Sequence, residues 1–389
     1  MTRESRMILL KKIEELRHSN LIVYFTGDRQ PFQTFIAEDA VRPLYDHLLA
    51  LVEAAPQRRK IDLFLYSRGG DVSVPWRIVS MIREFCDEFC VLIPYKAYSA
   101  TTMISMGADQ IIMGKKAELG PIDPTLVRSI IGEAAVPPTE ISVEDMFSYI
   151  SFMRERANIS DQAALAQIMS QLADHLTPLT LGRVNRQYSH IRLVARKLLT
   201  SHRQKIEENK VGIIVDTLTE KMYSHGHAIG RREAAEIGLP VEMPDDELEK
   251  LIWELYTEYE TLLQLNNPLD AEELLDQHHV DQVNQRILLA IIESTQKQHV
   301  VEANAVFQRR RQIPSNPQIN INLPLSLPPG FDPAQLPSNT QQFLQQMLTQ
   351  LSQIIPTMVQ QEINRQSPVI GIEGKVYGSR WVERLDNIV

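Results

Sequence analysis

Short, nearly uninterrupted apolar runs alternate along this chain with longer stretches that carry a single apolar stripe. LIVYFTG (21–27), IDLFLY (61–66), FCVLI (89–93) and QIIMG (110–114) are the runs. Between the first two, Val41, Leu44, Tyr45, Leu48, Leu51 and Val52 recur at helical spacing within residues 38–55. Pro43 falls in the first turn of that stretch, where its missing N–H costs little. Pro75 opens a second helix, with Ile78, Val79, Ile82 and Phe85 on one side. Strands buried on both faces read as continuous apolar runs, as in a parallel sheet with crossover helices. The pattern therefore predicts an α/β core.

The first 20 residues predict a charged amphipathic helix. Residues 115–160 read as loop and short helix, broken at Pro137-Pro138, and residues 160–202 as helix. Within 215–241, GRREAAEIGLP predicts a short helix stopped by Gly238 and Pro240. Pro244, Asp245 and Asp246 open another, rich in leucine and containing Trp253. Helical character is predicted to continue, interrupted near Asn266-Asn267-Pro268, to about Gln312. Residues 313–337 then hold seven prolines and read as an extended linker. The Gln-rich stretch 340–365 places Phe343, Leu344, Met347, Leu351, Ile354 and Ile355 on one helical face, for a partner subunit or as a solvated tail.

Composition narrows the function classes. The 389 residues suggest one large domain with appendages or two domains. Lys plus Arg number 40 against 49 Asp plus Glu, a net charge of −9 that argues against broad nucleic-acid binding. No apolar run approaches the ~20 residues of a membrane span. The charged N-terminal stretch lacks a signal-peptide apolar region. A cytoplasmic location is expected, and the two cysteines, Cys86 and Cys90, suit a reducing compartment as small buried apolar residues. Two thiolates make a poor zinc site, so no metal is expected.

Chemistry concentrates where apolar runs end. Gly69 and Gly70 follow IDLFLY, at the end of a strand where open parallel sheets bind ligands. Ser99 lies one run later, where FCVLI gives way to a helix. The N–H of Ala100 and that of Gly69 or Gly70, converging on one point, would make an oxyanion hole. The same residues also suit a simple turn and a helix N-cap. A nucleophilic serine needs a base and often an orienting carboxylate. His225 and His227 in SHGHAIG are candidate bases; His18 and His47 fall in helical settings read as exposed, and His278 and His279 outside the α/β core. Asp123 in ELGPIDP is the candidate carboxylate, with Asp216 as the alternative. A Ser–Lys dyad through Lys96, Lys115, Lys116 or Lys221 fits equally, and spacing alone leaves the choice open. The His-x-His pair lacks the companion ligands a metal would need.

DLFLYSRGGDV, KAYSATTMISMGADQIIMGKKAELGPIDP and YSHGHAIGRREAAEIGLP, in that order, resemble the serine dehydrogenase proteinase family, a branch of the Clp protease, signal peptide peptidase and crotonase fold. LGRVNRQYSHIRLVARKLL fits the same family. The resemblance spans roughly residues 20–241. It implies an α/β, Clp/crotonase-like ββα spiral core and a serine peptidase acting on peptide or protein substrates without a cofactor. It implies Ser99 as nucleophile, His225 as base and Asp123 as its orienting carboxylate. Gly69, Gly70 and Ala100 would form the oxyanion hole, with His227 or Lys116 as alternative base. A homo-oligomer is expected, and any ATPase partner is unspecified. The expected organisation is an N-terminal helix (1–20), the peptidase domain (21–241), a helical extension (242–312), the Pro-rich linker (313–339) and an amphipathic tail (340–389). Ala100-Thr101 departs from the Ala-Gly of the family pattern. That departure motivates a rival reading as a catalytically silent scaffold or adaptor. A crotonase-like acyl-CoA enzyme is the third.

Overall fold

The apolar runs become strands β1 (Asn20–Thr26), β2 (Lys60–Tyr66), β3 (Glu88–Ile93) and, after the two-residue β4 (Lys96–Ala97), β5 (Gln110–Met113). They are described by a computed structural model that covers residues 2–122, 125–128, 139–142, 148–175, 178–222, 224, 226–315 and 338–384. The stripes become helices α1 (Arg3–Arg17), α2 (Val41–Ala54), α3 (Val74–Arg83) and α4 (Ala100–Met106). Further along come the short β6 (Glu118–Leu119) and a hairpin of β7 (Thr125–Arg128) with β8 (Thr139–Ser142). Helices α5 (Gln162–His175), α6 (Pro178–Thr200) and α7 (Glu208–Glu220) follow, then β9 (Ile229–Gly230), α8 (Arg231–Ile237), β10 (Val241–Glu242) and α9 (Asp246–Leu262). Asp245 caps α9, its carboxylate accepting the Leu248 N–H at 2.8 Å. The last elements are α10 (Ala271–Gln277), β11 (Gln282–Ser294), β12 (Gln298–Arg311), α11 (Ser338–Gln366) and β13 (Val369–Glu383).

The chain divides into two units, Met1–Leu269 with Leu288–Ala303 and Ser379–Val389, and Asp270–Ile287 with Asn304–Gly378. In the first unit β10, β5, β3, β2 and β1 are parallel neighbours, and β11 joins β1 antiparallel with Ile22 opposite Ser294 and Thr26 opposite Ala290. Residues alternate across this sheet. Ile22, Tyr24, Leu63 and Val91 pack against α2, α3, α4, α6 and α7. Leu21, Val23, Phe64 and Leu92 face α1 and α9 through Leu10, Ile13, Leu251, Ile252 and Leu255. The mixed α/β class and the Clp-like ββα repeat are as the sequence implied: β3–β4–α4 is one such unit.

Residues 282–311 are strands, not the helix the sequence predicted. The run around Ile287–Ile292 is apolar at nearly every position, so its period discriminates poorly. Pairing with β1 decides the outcome. Near the end of this hairpin the structure also corrects the expectation for His47. It is fully buried, its Nδ1 2.7 Å from Ser294 Oγ and its Nε2 3.1 Å from His299 Nδ1.

Burial, reinforced by His299, Lys297 and Arg3, pushes the His47 pKa down to about 3, and burial also lowers that of His299. A lowered histidine leaves the unfolded chain holding more protons below pH ~6.5. His47 therefore contributes stability that is complete above that pH and is lost as pH falls toward 3. Between pH 6.5 and 5 the loss is about 2 kcal/mol. Urea midpoints are expected to fall over this interval, and His47→Asn, weaker at pH 7.5, is expected to fall less. Parallel pH profiles for the two chains would sink the assignment.

The second unit is held by paired charge. Asp281 accepts from Arg311 Nη2 at 2.7 Å and from Asn364 Nδ2 at 2.9 Å, and Arg311 Nη1 donates to the carbonyls of Asn364 and Ser367. These bonds tie β12 to the end of α11. In this unit β12 lies between β11 and β13. The expected linker beyond Ser315 lies outside the described residues up to α11.

Candidate active site

Strand β2 runs out into Ser67-Arg68-Gly69-Gly70, and β3 into β4 and Tyr98-Ser99. The two exits are zipped together. Ser67 N–H donates to Lys96 O at 3.0 Å and Tyr98 N–H to Ser67 O at 3.1 Å. Gly69 is thereby laid against Ser99: a Cβ added there would meet Ser99 Cβ and Tyr98 O, each at 2.9 Å. Gly70 is fixed from the other side by Ile36, whose N–H donates to Gly69 O at 2.7 Å and whose carbonyl accepts Asp71 N–H at 2.9 Å.

Ser99 is half-buried and has φ +50° and ψ −115°, the left-handed side of the map, where a serine is strained. It stands directly before α4, and its carbonyl accepts Met103 N–H at 3.0 Å. This is a sharp turn from strand to helix, with Ser99 at its apex. The N–H groups of Gly70 and Ala100 have no acceptor among the described residues. That of Gly69 does: it donates to Ser67 Oγ at 3.1 Å, and this hydroxyl also receives Thr26 Oγ1 at 2.8 Å. Of the two glycines, Gly69 shapes the turn and Gly70 carries the free donor.

Three motifs meet on a small sheet ordered β4-β6-β9. Lys96 and Ala97 pair with Glu118 and Leu119, which pair on their other side with Gly230 and Ile229. Ser99 follows the first strand, Asp123 follows the second, and His225 and His227 precede the third. Ile122 N–H donates to Leu218 O at 3.0 Å, joining the segment before Asp123 to the helix before His225. Asp123 and His225 themselves lie outside the described residues. Thr102 anchors α4 to the same place, donating to Ala97 O at 2.7 Å while accepting Gly120 N–H at 3.1 Å.

His227 and Lys116, the alternative bases, each have a partner. His227 Nε2 lies 2.8 Å from Glu233 Oε1, a partner the sequence did not suggest. Lys116 pairs with Glu118 at 3.3 Å and lies 4.5 Å from the centre of the Tyr95 ring; the bond to Glu118 raises its pKa, which opposes a role as base. Asp216 is held by Arg192. Thr101 is fully buried, and its hydroxyl has no hydrogen-bond partner among the described residues.

A further cluster stood outside the sequence reading. Asp28, just past β1, accepts from Tyr66 at 3.0 Å, Arg68 at 2.9 Å and Lys96 at 2.8 Å. Burial alone would push its carboxyl up, but the bonds from Lys96 and Arg68 outweigh it and hold the pKa below the usual carboxylate range. It braces both exits that carry the site. No cluster of three or more His, Cys, Asp or Glu side chains suited to a metal occurs among the described residues. Cys86 and Cys90 are buried free thiols, and burial pushes the Cys86 pKa up to about 12.

The site thus combines a ββα unit with a strained serine between strand and helix. Residues 2–136 match the ClpP-like SDH-type serine proteinase family. An uncharacterised protein of Methanocaldococcus jannaschii is 27% identical over 259 residues, covering 65% of this chain and 78% of its own. A second from that organism is 29% identical over 129 residues, covering 31% of this chain and 42% of its own. Among solved structures, a mutant of the 1510-N membrane-bound stomatin-specific protease aligns over 60% of this chain and 84% of its own, at 16% identity and TM-score 0.32. Another mutant of that protease, in complex with a substrate peptide, aligns over 60% and 78%, at 15% identity and TM-score 0.34. No helix among the described residues is long and apolar enough to cross a membrane.

Proposed function

We propose that the protein is a serine peptidase that cleaves peptide bonds through an acyl-enzyme on Ser99. The supporting observation is the half-buried Ser99 at φ +50°, with Gly69 packed against its Cβ and the N–H groups of Gly70 and Ala100 without acceptors. Ser99 Oγ attacks the substrate carbonyl while His225 takes its proton. The oxyanion is stabilised by the Gly70 and Ala100 N–H groups. His225 then returns the proton to the departing amine, Asp123 holding the ring, and water releases the acyl group by the reverse sequence. The convergence of the three motifs on β4, β6 and β9 supports this grouping. Glu233 holds the His227 ring as a carboxylate holds a catalytic imidazole, so the preference for His225 as base rests on the family resemblance and is decided by the histidine variants below. Residues 21–241 would hold the catalytic apparatus, in a cytoplasmic setting consistent with two free cysteines.

A serine-directed fluorophosphonate tests this. The folded protein should label, and His225→Ala should slow labelling by about 10²–10⁴-fold. His227→Ala should retain most of it. Folded wild type that resists the probe favours the scaffold, and protection by acyl-CoA favours the crotonase-like reading. Two unaffected histidine variants would return the choice to a lysine base.

A further inference from the structure

Strand β13 ends the strand order of its sheet, so one edge has no neighbour among the described residues. Within the second unit it runs VIGIEGKVYG (369–378), and Val369, Ile370, Val376 and Tyr377 are exposed. Long apolar edges invite pairing unless charge or proline blunts them. This edge has no proline, and its two charges, Glu373 and Lys375, cancel.

The order of residues about Gly374 names the partner. Take a second copy of this strand, antiparallel, with a two-fold axis at Gly374. Glu373 then faces Lys375 of the partner subunit, and Lys375 faces Glu373 of the partner subunit. Ile372 faces Val376 of the partner subunit. Gly371 faces Tyr377 of the partner subunit, an aromatic ring over a glycine that otherwise leaves the edge bare. Directly opposed pairs of these kinds are the stabilising units of an antiparallel ladder. The side chains of Glu373 and Lys375 are 45% and 71% exposed and form an ion pair within the strand, so both stand on one face, ready for the second pair. Gly374 lies against the Phe307 ring, where an added Cβ would sit 3.3 Å from it. The residue on the axis is therefore packed against a β12 side chain on one face, and no strand among the described residues pairs with its outer edge. The chain's own 313–337 segment, with seven prolines, is a poor donor of ladder hydrogen bonds.

We propose that β13 is a self-pairing edge: two copies of this protein join antiparallel across residues 371–377, centred on Gly374. The proposal is independent of the peptidase reading.

Charge reversal tests it on the full chain by sedimentation velocity. Glu373→Lys places two like-charged pairs across the axis, as does Lys375→Glu. Each variant is expected to associate at least about tenfold more weakly than wild type. If larger assemblies form through other surfaces, the particle mass is expected to halve. An equimolar mixture of the two variants restores both opposite-charge pairs in a heterodimer and is expected to regain wild-type association. Circular dichroism should be unchanged, since both side chains are exposed. A monomeric wild type would overturn the proposal, as would single variants that associate normally or a mixture that does not recover. An edge covered by the proline-rich segment would yield the first of those results.

Discussion

Ser99→Gly is expected to make the protein more stable while abolishing peptide turnover. A side chain at φ +50° and ψ −115° costs roughly 1–3 kcal/mol. Glycine occupies that region freely, and the freedom it adds to the unfolded chain takes back about 0.4–1 kcal/mol. A net gain of about 1 kcal/mol in urea unfolding follows. Ser99→Ala keeps the Cβ and the strain, so its stability should stay close to wild type. Both variants lose the hydroxyl proposed as nucleophile, and turnover should fall at least about 10³-fold. The pairing of results matters more than either alone. A catalytic serine held in a costly conformation gives a loss of activity with a gain in stability on going to glycine. A merely structural N-cap would lose about 1 kcal/mol on going to alanine and a few tenths on going to glycine, with no gain over wild type. If Ser99→Gly unfolds at lower urea than Ser99→Ala, the strained-nucleophile account fails.

The second large effect is expected at Gly70. A Cβ there would lie 2.2 Å from Ile36 O and 2.5 Å from Ile36 N, both backbone atoms that cannot swing aside. Its φ of +148° is also foreign to alanine. Gly70→Ala must push the Ile36 segment away, breaking the 2.7 Å and 2.9 Å bonds that hold it. Two bonds at about 1 kcal/mol each and 1–3 kcal/mol of backbone strain sum to roughly 3–5 kcal/mol. The free N–H beside Ser99 moves with the backbone, so probe labelling should disappear as well. Gly69→Ala separates the two losses. Its Cβ would meet Ser99 Cβ and Tyr98 O at 2.9 Å, so it should damage the nucleophile's position more than the fold. Gly70→Ala with a wild-type urea midpoint would contradict this packing.

Strands β1, β2, β3 and β5 were legible because burial on both faces leaves continuous apolar runs. The meeting of Ser99 with the glycine pair was legible because both follow the ends of neighbouring apolar runs. The sheet that gathers the motifs was not: β4, β6 and β9 are two residues long, too short for any period to show. The Asp28 brace joins residues 28, 66, 68 and 96, a proximity that only the fold creates. His47 looked exposed because the residues that bury it, Ser294 and His299, come some 250 positions later (|i−j| of 247 and 252). The choice of Gly70 over Gly69 as free donor turned on the Ser67 hydroxyl, two residues away but aimed by tertiary bonds.

The placement of β1 between β2 and β11 bears on how the molecule can be divided. A chain ending at Val241 would keep every motif named above yet lose β11, leaving the main-chain groups of Ile22–Thr26 facing water along a hydrophobic margin. It would also strip Arg6 of the Glu293 carboxylate that now lies 2.7 Å from its guanidinium in a sealed interior. Such a fragment is a candidate for inclusion bodies rather than a minimal folded unit, since its residues lean on β11 and Glu293, which come later in the full chain.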